Sequence, residues 1–180
     1  MEKERKNKRL GFRIDKLTSS IENTLTGERF ETEIIRLRST DVSLIKKNDW
    51  QFDWRIELMN TNASVYGLVT LENPEIMHGL LSLTDAKDHV EMNLLESAIF
   101  NQGSQKLYDG VPGNLVAFAC KTSFEIGYDG FVVFDAKTRL IKHYENSLGA
   151  KRFVGNRMFI GTREAYKLVT QYFKDFDDAG

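Results

Sequence analysis

The sequence predicts an α+β domain built on a mixed, mostly antiparallel central sheet flanked by helices. Three observations carry that prediction. Strand-like stretches at residues 65–71, 76–84 and 89–98 follow one another across short polar connections, Asn73-Pro74 and Asp85-Ala86-Lys87-Asp88, as antiparallel neighbours do. Residues 107–160 then run strand, helix, strand, helix, strand, an order that needs crossover helices on the sheet. A last stretch sets Ala165, Leu168, Val169, Tyr172 and Phe173 on one helical face.

Earlier in the chain, residues 11–37 alternate loosely. Leu17, Ile21 and Leu25 precede Thr26-Gly27 and Ile34, Ile35 and Leu37 follow it, which suggests a hairpin or two early strands. Ser39-Thr40-Asp41 is a capping sequence for a short helix reaching Lys47. Trp50, Phe52, Trp54, Ile56 and Leu58 alternate as a strand does, yet Trp50, Trp54 and Leu58 also share one helical face, and the helix is the favoured reading. Residues 114–126 place Leu115, Phe118, Ala119, Thr122 and Ile126 at helical spacing, with Gly127 as the stop. Residues 131–134 are a continuous apolar run, the mark of a strand covered on both faces. Thr138 caps a helix whose stripe is Leu140, Ile141, Tyr144 and Leu148, ending at Gly149, and residues 152–160 are strand material broken near Gly155-Asn156.

The 180 residues suffice for one domain with a sizeable core. Apolar residues at 41% and charged residues at 28% are the balance of a globular chain, and a formal net charge of −1 argues against a broad electrostatic grip on nucleic acid or anionic lipid. Residues 1–10 carry five Lys or Arg against two Glu, and are expected to be a disordered basic N-terminus ahead of a single domain over residues 11–180. Cys120 is the only cysteine, which rules out an intrachain disulfide and fits a reducing compartment. The start of the chain has no apolar signal-peptide core, and no run approaches the ~18 apolar residues of a spanning helix. The expected location is cytoplasmic.

Residues 107–160 are the most informative stretch. Gly110-Val111-Pro112-Gly113-Asn114-Leu115 reads as a glycine turn opening a helix, and such a turn presents unpaired backbone N–H groups to an anion. Further on, His143-Tyr144-Glu145 precedes Leu148-Gly149-Ala150. In this order the features resemble the GNAT superfamily of acetyl-CoA-dependent N-acyltransferases. The resemblance spans residues 65–160 in element order and is sharpest from Gly110 to Phe153. In that family a strand leads into a Gln/Arg-x-x-Gly-x-Gly/Ala turn that holds the coenzyme pyrophosphate, and a Leu-Tyr-Glu-Lys-Leu-Gly-Phe signature marks a later helix. The resemblance implies a splay between the family's fourth and fifth strands, here residues 89–98 and 131–134, with the coenzyme in it. It implies acetyl-CoA as co-substrate, no metal, and cofactor contacts at Gly110, Val111, Gly113, Asn114 and Leu115, with Ala98 and Ile99 beside the pantetheine arm. Two positions depart from the motif. Leu107 stands where Gln or Arg is usual, and Pro112, which has no N–H, stands at the last position. Lys106, Lys137 or the Asn114 amide is then expected to compensate.

Acyl transfer from a thioester to an amine needs a neutral amine, stabilisation of an oxyanion and a proton for the leaving thiolate. By resemblance Tyr144 supplies that proton, although its place on an apolar stripe also fits a core tyrosine with its hydroxyl at the rim. Glu91 and Glu96 fall on opposite faces of an ideal strand. Glu96, between apolar neighbours and nearer the glycine turn, is the candidate base, and Glu91 reads as a solvated strand residue. Cys120 reads as a buried thiol, and His78, His89 and His143 lack metal-ligand spacing, with His143 on the surface. Trp50 and Trp54 are expected to pack in the core.

The expectation is an acetyl-CoA-dependent N-acetyltransferase in which an amine attacks directly, with no covalent enzyme intermediate. The acceptor stays open between a small-molecule amine and a protein amine, with aminoacyl-tRNA as the one nucleic acid, no membrane partner, and a homodimer as the oligomer. Two alternatives stand beside it: a non-catalytic interaction protein on the same fold, which Leu107 and Pro112 favour, and a toxin-like acetyltransferase acting on translation.

Overall fold

In the computed structural model, which describes residues 9–15 and 20–176, the early alternation becomes a hairpin. Strands β1 (Ser20–Asn23) and β2 (Arg29–Leu37) pair antiparallel with Ile21 opposite Phe30. The Asn23 carboxamide oxygen accepts the N–H groups of Leu25 and Thr26 and so closes the turn. Two 3₁₀ turns, Ser39–Leu44 and Lys47–Asp49, replace the helix expected from Ser39. Neither buries a residue, so no packed face extends them into an α-helix. Helix α1 (Trp54–Met59) resolves the ambiguous tryptophan segment. Asp53 caps it by accepting the Arg55 N–H, and Trp54 and Glu57 turn inward at helical spacing.

The three central strands form the expected antiparallel meander, β3 (Ser64–Thr70), β4 (Gly79–Asp85) and β5 (Val90–Ser97), with β4 starting three residues after the expected Ile76. β5 departs from an ideal strand in one place. Ser82 pairs with Leu94 while Leu83 pairs with Met92, so Asn93 is an extra residue, a β-bulge. The bulge shifts the side-chain parity. Glu91 and Glu96, expected on opposite faces, pair with Thr84 and Leu80 and lie on one face.

A short strand β6 (Tyr108–Asp109) joins β1 before helix α2 (Val111–Ile126). This helix starts before the expected residue 114. Pro112 sits in its first turn, where a missing N–H leaves no intrahelical bond unmade. Gly110 precedes it at φ 100°, a left-handed conformation that glycine enters without a Cβ clash. β7 (Val132–Asp135), a 3₁₀ turn at Thr138–Leu140, α3 (Ile141–Leu148), β8 (Lys151–Val154), β9 (Arg157–Ile160) and α4 (Thr162–Tyr172) complete the order.

Among the described residues nine strands form one sheet, β6-β1-β2-β3-β4-β5-β7-β9-β8. Its strand pairs are antiparallel except β5–β7, which is joined only at Val90–Val132 and Glu91–Val133. Beyond Glu91 the two strands part, and the predicted splay opens between them. α2 packs against α4 and over β4 and β5. Gly79 allows that approach, because a Cβ there would lie 2.6 Å from Val111 Cγ1 and 2.9 Å from Leu115 Cδ1. Leu68, Leu80, Leu81, Leu115, Phe134 and Met158 are fully buried in the core. Among the described residues no helix is long and apolar enough to cross a membrane.

Candidate functional site

The splay holds a cavity of about 310 Å³. Leu94, Glu96 and Ser97 of β5 form one wall, Asn101 and Pro112 lie at the glycine-turn end, and residues from the start of the chain form the opposite wall. Of the basic N-terminus expected over residues 1–10, residues 1–8 lie outside the described residues. Leu10 lies inside them and is 2% exposed, so the packed chain reaches back at least that far.

Residues 9–15 run beside the end of β7. The Leu10 N–H donates to the Asp135 carbonyl at 2.7 Å, and the Lys137 N–H donates to the Leu10 carbonyl at 2.9 Å, a parallel bridge to Ala136. Phe12 is buried, its ring centroid 4.7 Å from that of Tyr144. The Tyr144 hydroxyl, itself fully buried, donates to the Phe12 carbonyl at 2.5 Å. Burial pushes the Tyr144 phenol well above its ordinary pKa, against the opposing pull of Arg13 and Arg139, so the group keeps its proton. His143 is not the exposed residue expected. It is half-buried, and its Nε2 accepts the Ile14 N–H at 2.9 Å. Burial, with Arg13 nearby, lowers its pKa and keeps the accepting nitrogen free of a proton.

At the other end of the cleft, the Gly110 N–H donates to Asp15 Oδ1 at 3.0 Å. Lys106 bridges Asp15 and Asp109 at 2.9 and 2.8 Å. The Gly110 amide therefore faces an anion, and the anion is a carboxylate of the same chain. Asn114 is buried, and its side-chain amide donates to the Gly110 carbonyl at 2.8 Å, which shapes the turn. Val111 and Leu115 are packed against Gly79, and Gly113 is buried with them, so these residues bring backbone rather than side chains to the turn. Ala98 and Ile99 stand apart from the cavity wall. The Ala98 N–H is bonded to the His78 carbonyl at 2.9 Å and Ile99 is exposed. Ser97 and Asn101 occupy the position expected for them, because a 3₁₀ turn, Ile99–Asn101, carries the chain away from the cleft and back.

Glu96 lines the cleft but its carboxylate is engaged. It accepts from the Gln51 N–H at 2.6 Å, the Phe52 N–H at 3.3 Å and Trp54 Nε1 at 2.9 Å. The residue clamps the start of α1 to β5. Trp50 and Trp54 pack edge to face in the core as expected. Glu91, read as solvated, instead forms a two-oxygen ion pair with Arg157 at 2.9 and 2.8 Å. Cys120 is fully buried, and burial raises its thiol pKa, which makes it inert.

His78 was not singled out by the sequence beyond its lack of metal spacing, yet it lies under the turn. Burial holds its pKa down to about 4, and Asn101 Nδ2 lies 3.1 Å from its Nδ1, where a neutral ring accepts. A pKa below the unfolded value of ~6.5 means that stability is intact above that pH. As the pH falls from ~6.5 toward 4, the unfolded chain takes a proton that the folded chain refuses, and roughly 3 kcal/mol is lost. Urea unfolding at pH 7, 5.5 and 4 should record this loss, and His78→Gln should remove most of it. An equal loss in both proteins would contradict it.

Comparison with solved structures accounts for the architecture. The AtaT–AtaR complex bound with acetyl-CoA superposes at a TM-score of 0.53 and 17% identity, covering 76% of this chain and 97% of that one. A tyrosine-to-phenylalanine mutant of the AtaT toxin, bound to the C-terminus of the antitoxin AtaR and acetyl-CoA, gives 0.52 and 19% over 78% of this chain and 99% of that one. The KacTA–DNA complex gives 0.50 and 15% over 78% and 99%. No family sequence model matches the chain, and no curated protein matches it in sequence. With its meander, its parallel β5–β7 splay and the glycine turn leading into α2, the chain has the fold of the GNAT acyltransferases.

Proposed function

We propose that the splay between β5 and β7 binds acetyl-CoA and that the protein transfers its acetyl group to an amine. One observation carries the reading: the Gly110 N–H and the Tyr144 hydroxyl, an anion holder and an acid, each donate to residues 9–15, the segment that lines the cleft between β5 and β7. The residues present fit such a ligand. A carboxylate already rests on the Gly110 N–H beside Lys106, where a phosphate oxygen finds the same donors. Asn101 Oδ1 is buried at the cavity with no partner among the described residues, an unmet acceptor of the kind an amide-bearing ligand arm satisfies.

The coenzyme, when bound, supplies a thioester whose carbonyl carbon accepts the amine. The chain's own groups then act in order. The Gly110 amide and Lys106 hold the phosphates, and the β5 wall orients the arm. Tyr144 would supply the proton that the departing thiolate takes up and would recover one from solvent, while the proton released by the amine nitrogen would pass to water. Glu96 was the candidate base, but three N–H donors on its carboxylate support a positioning role instead. It holds Gln51 and Phe52 over the cleft where an acceptor would enter.

Calorimetry with acetyl-CoA tests the reading. Saturable binding of one coenzyme per chain is expected. No heat at millimolar coenzyme, with the native chain and with Asp15→Ala, would sink it. A toxin-like enzyme acting on translation draws support from the likeness to AtaT, and its test is growth arrest on expression. A non-catalytic protein on this fold draws support from the burial of the Tyr144 hydroxyl against Phe12.

A further inference from the structure

The segment over residues 9–15 engages both ends of the cleft at once. Its Phe12 carbonyl takes the Tyr144 hydroxyl at 2.5 Å, and its Asp15 carboxylate takes the Gly110 N–H at 3.0 Å and Lys106 at 2.9 Å. Between these points the Ile14 N–H reaches His143 Nε2, and Leu10 and Phe12 are buried where β7 has lost its β5 partner. A carbonyl oxygen thus stands in for the sulfur that would receive the phenol's proton, and a carboxylate stands in for a phosphate. The space left beside the segment, about 310 Å³, is at the low end for a drug-sized ligand and well short of a nucleotide coenzyme.

We propose that residues 9–15 are a built-in strap that occupies the coenzyme cleft at rest and must leave it before acetyl-CoA can seat. This rests on the acetyl-CoA reading of the same cleft. The strap makes the resting protein self-inhibited, because the acid is capped and the anion holder is filled by one continuous segment. Its apolar hold is confined to Leu10 and Phe12, with Ile14 partly covered. It is not a strand of the nine-stranded order and meets β7 through the single bridge Leu10–Ala136, so it can detach without opening a strand ladder. The apparent dissociation constant of a ligand rises in inverse proportion to the open fraction. A strap closed in about nine of ten molecules weakens coenzyme binding about 10-fold, and one closed in about ninety-nine of a hundred weakens it about 100-fold.

The test uses the full chain and two variants that loosen opposite ends of the strap, Phe12→Ala and Asp15→Asn. Calorimetry should find acetyl-CoA bound about 10-fold or more tightly by each variant than by the native chain. Hydrogen–deuterium exchange on the native chain should find the Leu10 and Ile14 amides exchanging faster once acetyl-CoA is present. Phe12→Ala acts far from the phosphate holder, so a gain there cannot be the mere removal of a negative charge. If it fails to fold, Asp15→Asn together with the exchange experiment decides the matter. Coenzyme bound equally by all three proteins, with the strap amides still protected, overturns the strap and leaves the acetyl-CoA reading standing. No binding to any of the three overturns that reading, and the strap proposal with it.

Discussion

Tyr144→Phe is expected to lower acetyl transfer by about 100- to 1,000-fold without weakening coenzyme binding. The argument begins with burial. Tyr144 is fully enclosed against Phe12 and Phe134, and burial holds its proton on the oxygen at neutral pH. A phenol in that state is a donor only. Removing it takes away the proton that the leaving sulfur needs and leaves the ring's packing in place. It also removes the hydrogen bond to the Phe12 carbonyl, whose net worth is about 1 kcal/mol. That loss weakens the segment competing for the cleft, so affinity should stay level or improve while turnover falls. Steady-state rates alongside calorimetry separate the two quantities. Unchanged turnover in Tyr144→Phe would remove the residue from the chemistry, and a loss of affinity equal to the loss of rate would make it a binding residue instead.

The parts of this fold that repeat with a period were legible in the sequence. The β3–β4–β5 meander, the apolar run of β7 and the stripes of α3 and α4 were all read from spacing, because burial on one face imposes that spacing. What escaped was governed by single residues. Nothing local marks Asn93 as a bulge, since one inserted polar residue looks like ordinary alternation, yet it moves Glu91 and Glu96 onto a common face. Pro112 and Gly113 look like turn residues, yet they belong to the first turn of α2, which Val111 and Leu115 on either side of them pack against Gly79. The strap did carry a signal. Leu10, Phe12 and Ile14 alternate with Gly11, Arg13 and Asp15, the period of a strand. The flanking run of basic residues concealed it, because charge density is the mark of a solvated end. The covering of His143 was hidden for the same reason, since its partner is Ile14.

Glu96→Ala is expected to destabilise the fold by about 4 kcal/mol, a large share of the ~5–15 kcal/mol that separates folded from unfolded domains. Three N–H donors converge on this buried carboxylate, two from the backbone of Gln51 and Phe52 and one from Trp54. A hydrogen bond to a charged group is worth about 1.5–3 kcal/mol, and a buried donor left without an acceptor costs about 1–3 kcal/mol. The cost depends on how far residues 50–54 can relax toward water. Glu96→Gln is the sharper probe. Its remaining carbonyl oxygen can keep Phe52 and Trp54, but an NH₂ group then meets the Gln51 N–H, and the expected loss is about 2 kcal/mol. A general base predicts the opposite pattern, with turnover collapsing in Glu96→Gln and the urea midpoint unmoved. A positioning clamp predicts a lowered midpoint, a raised KM for the acceptor as Gln51 and Phe52 loosen over the cleft, and a kcat that falls far less than in Tyr144→Phe. Measuring the midpoint and the two kinetic constants on the same protein assigns Glu96 to one role or the other.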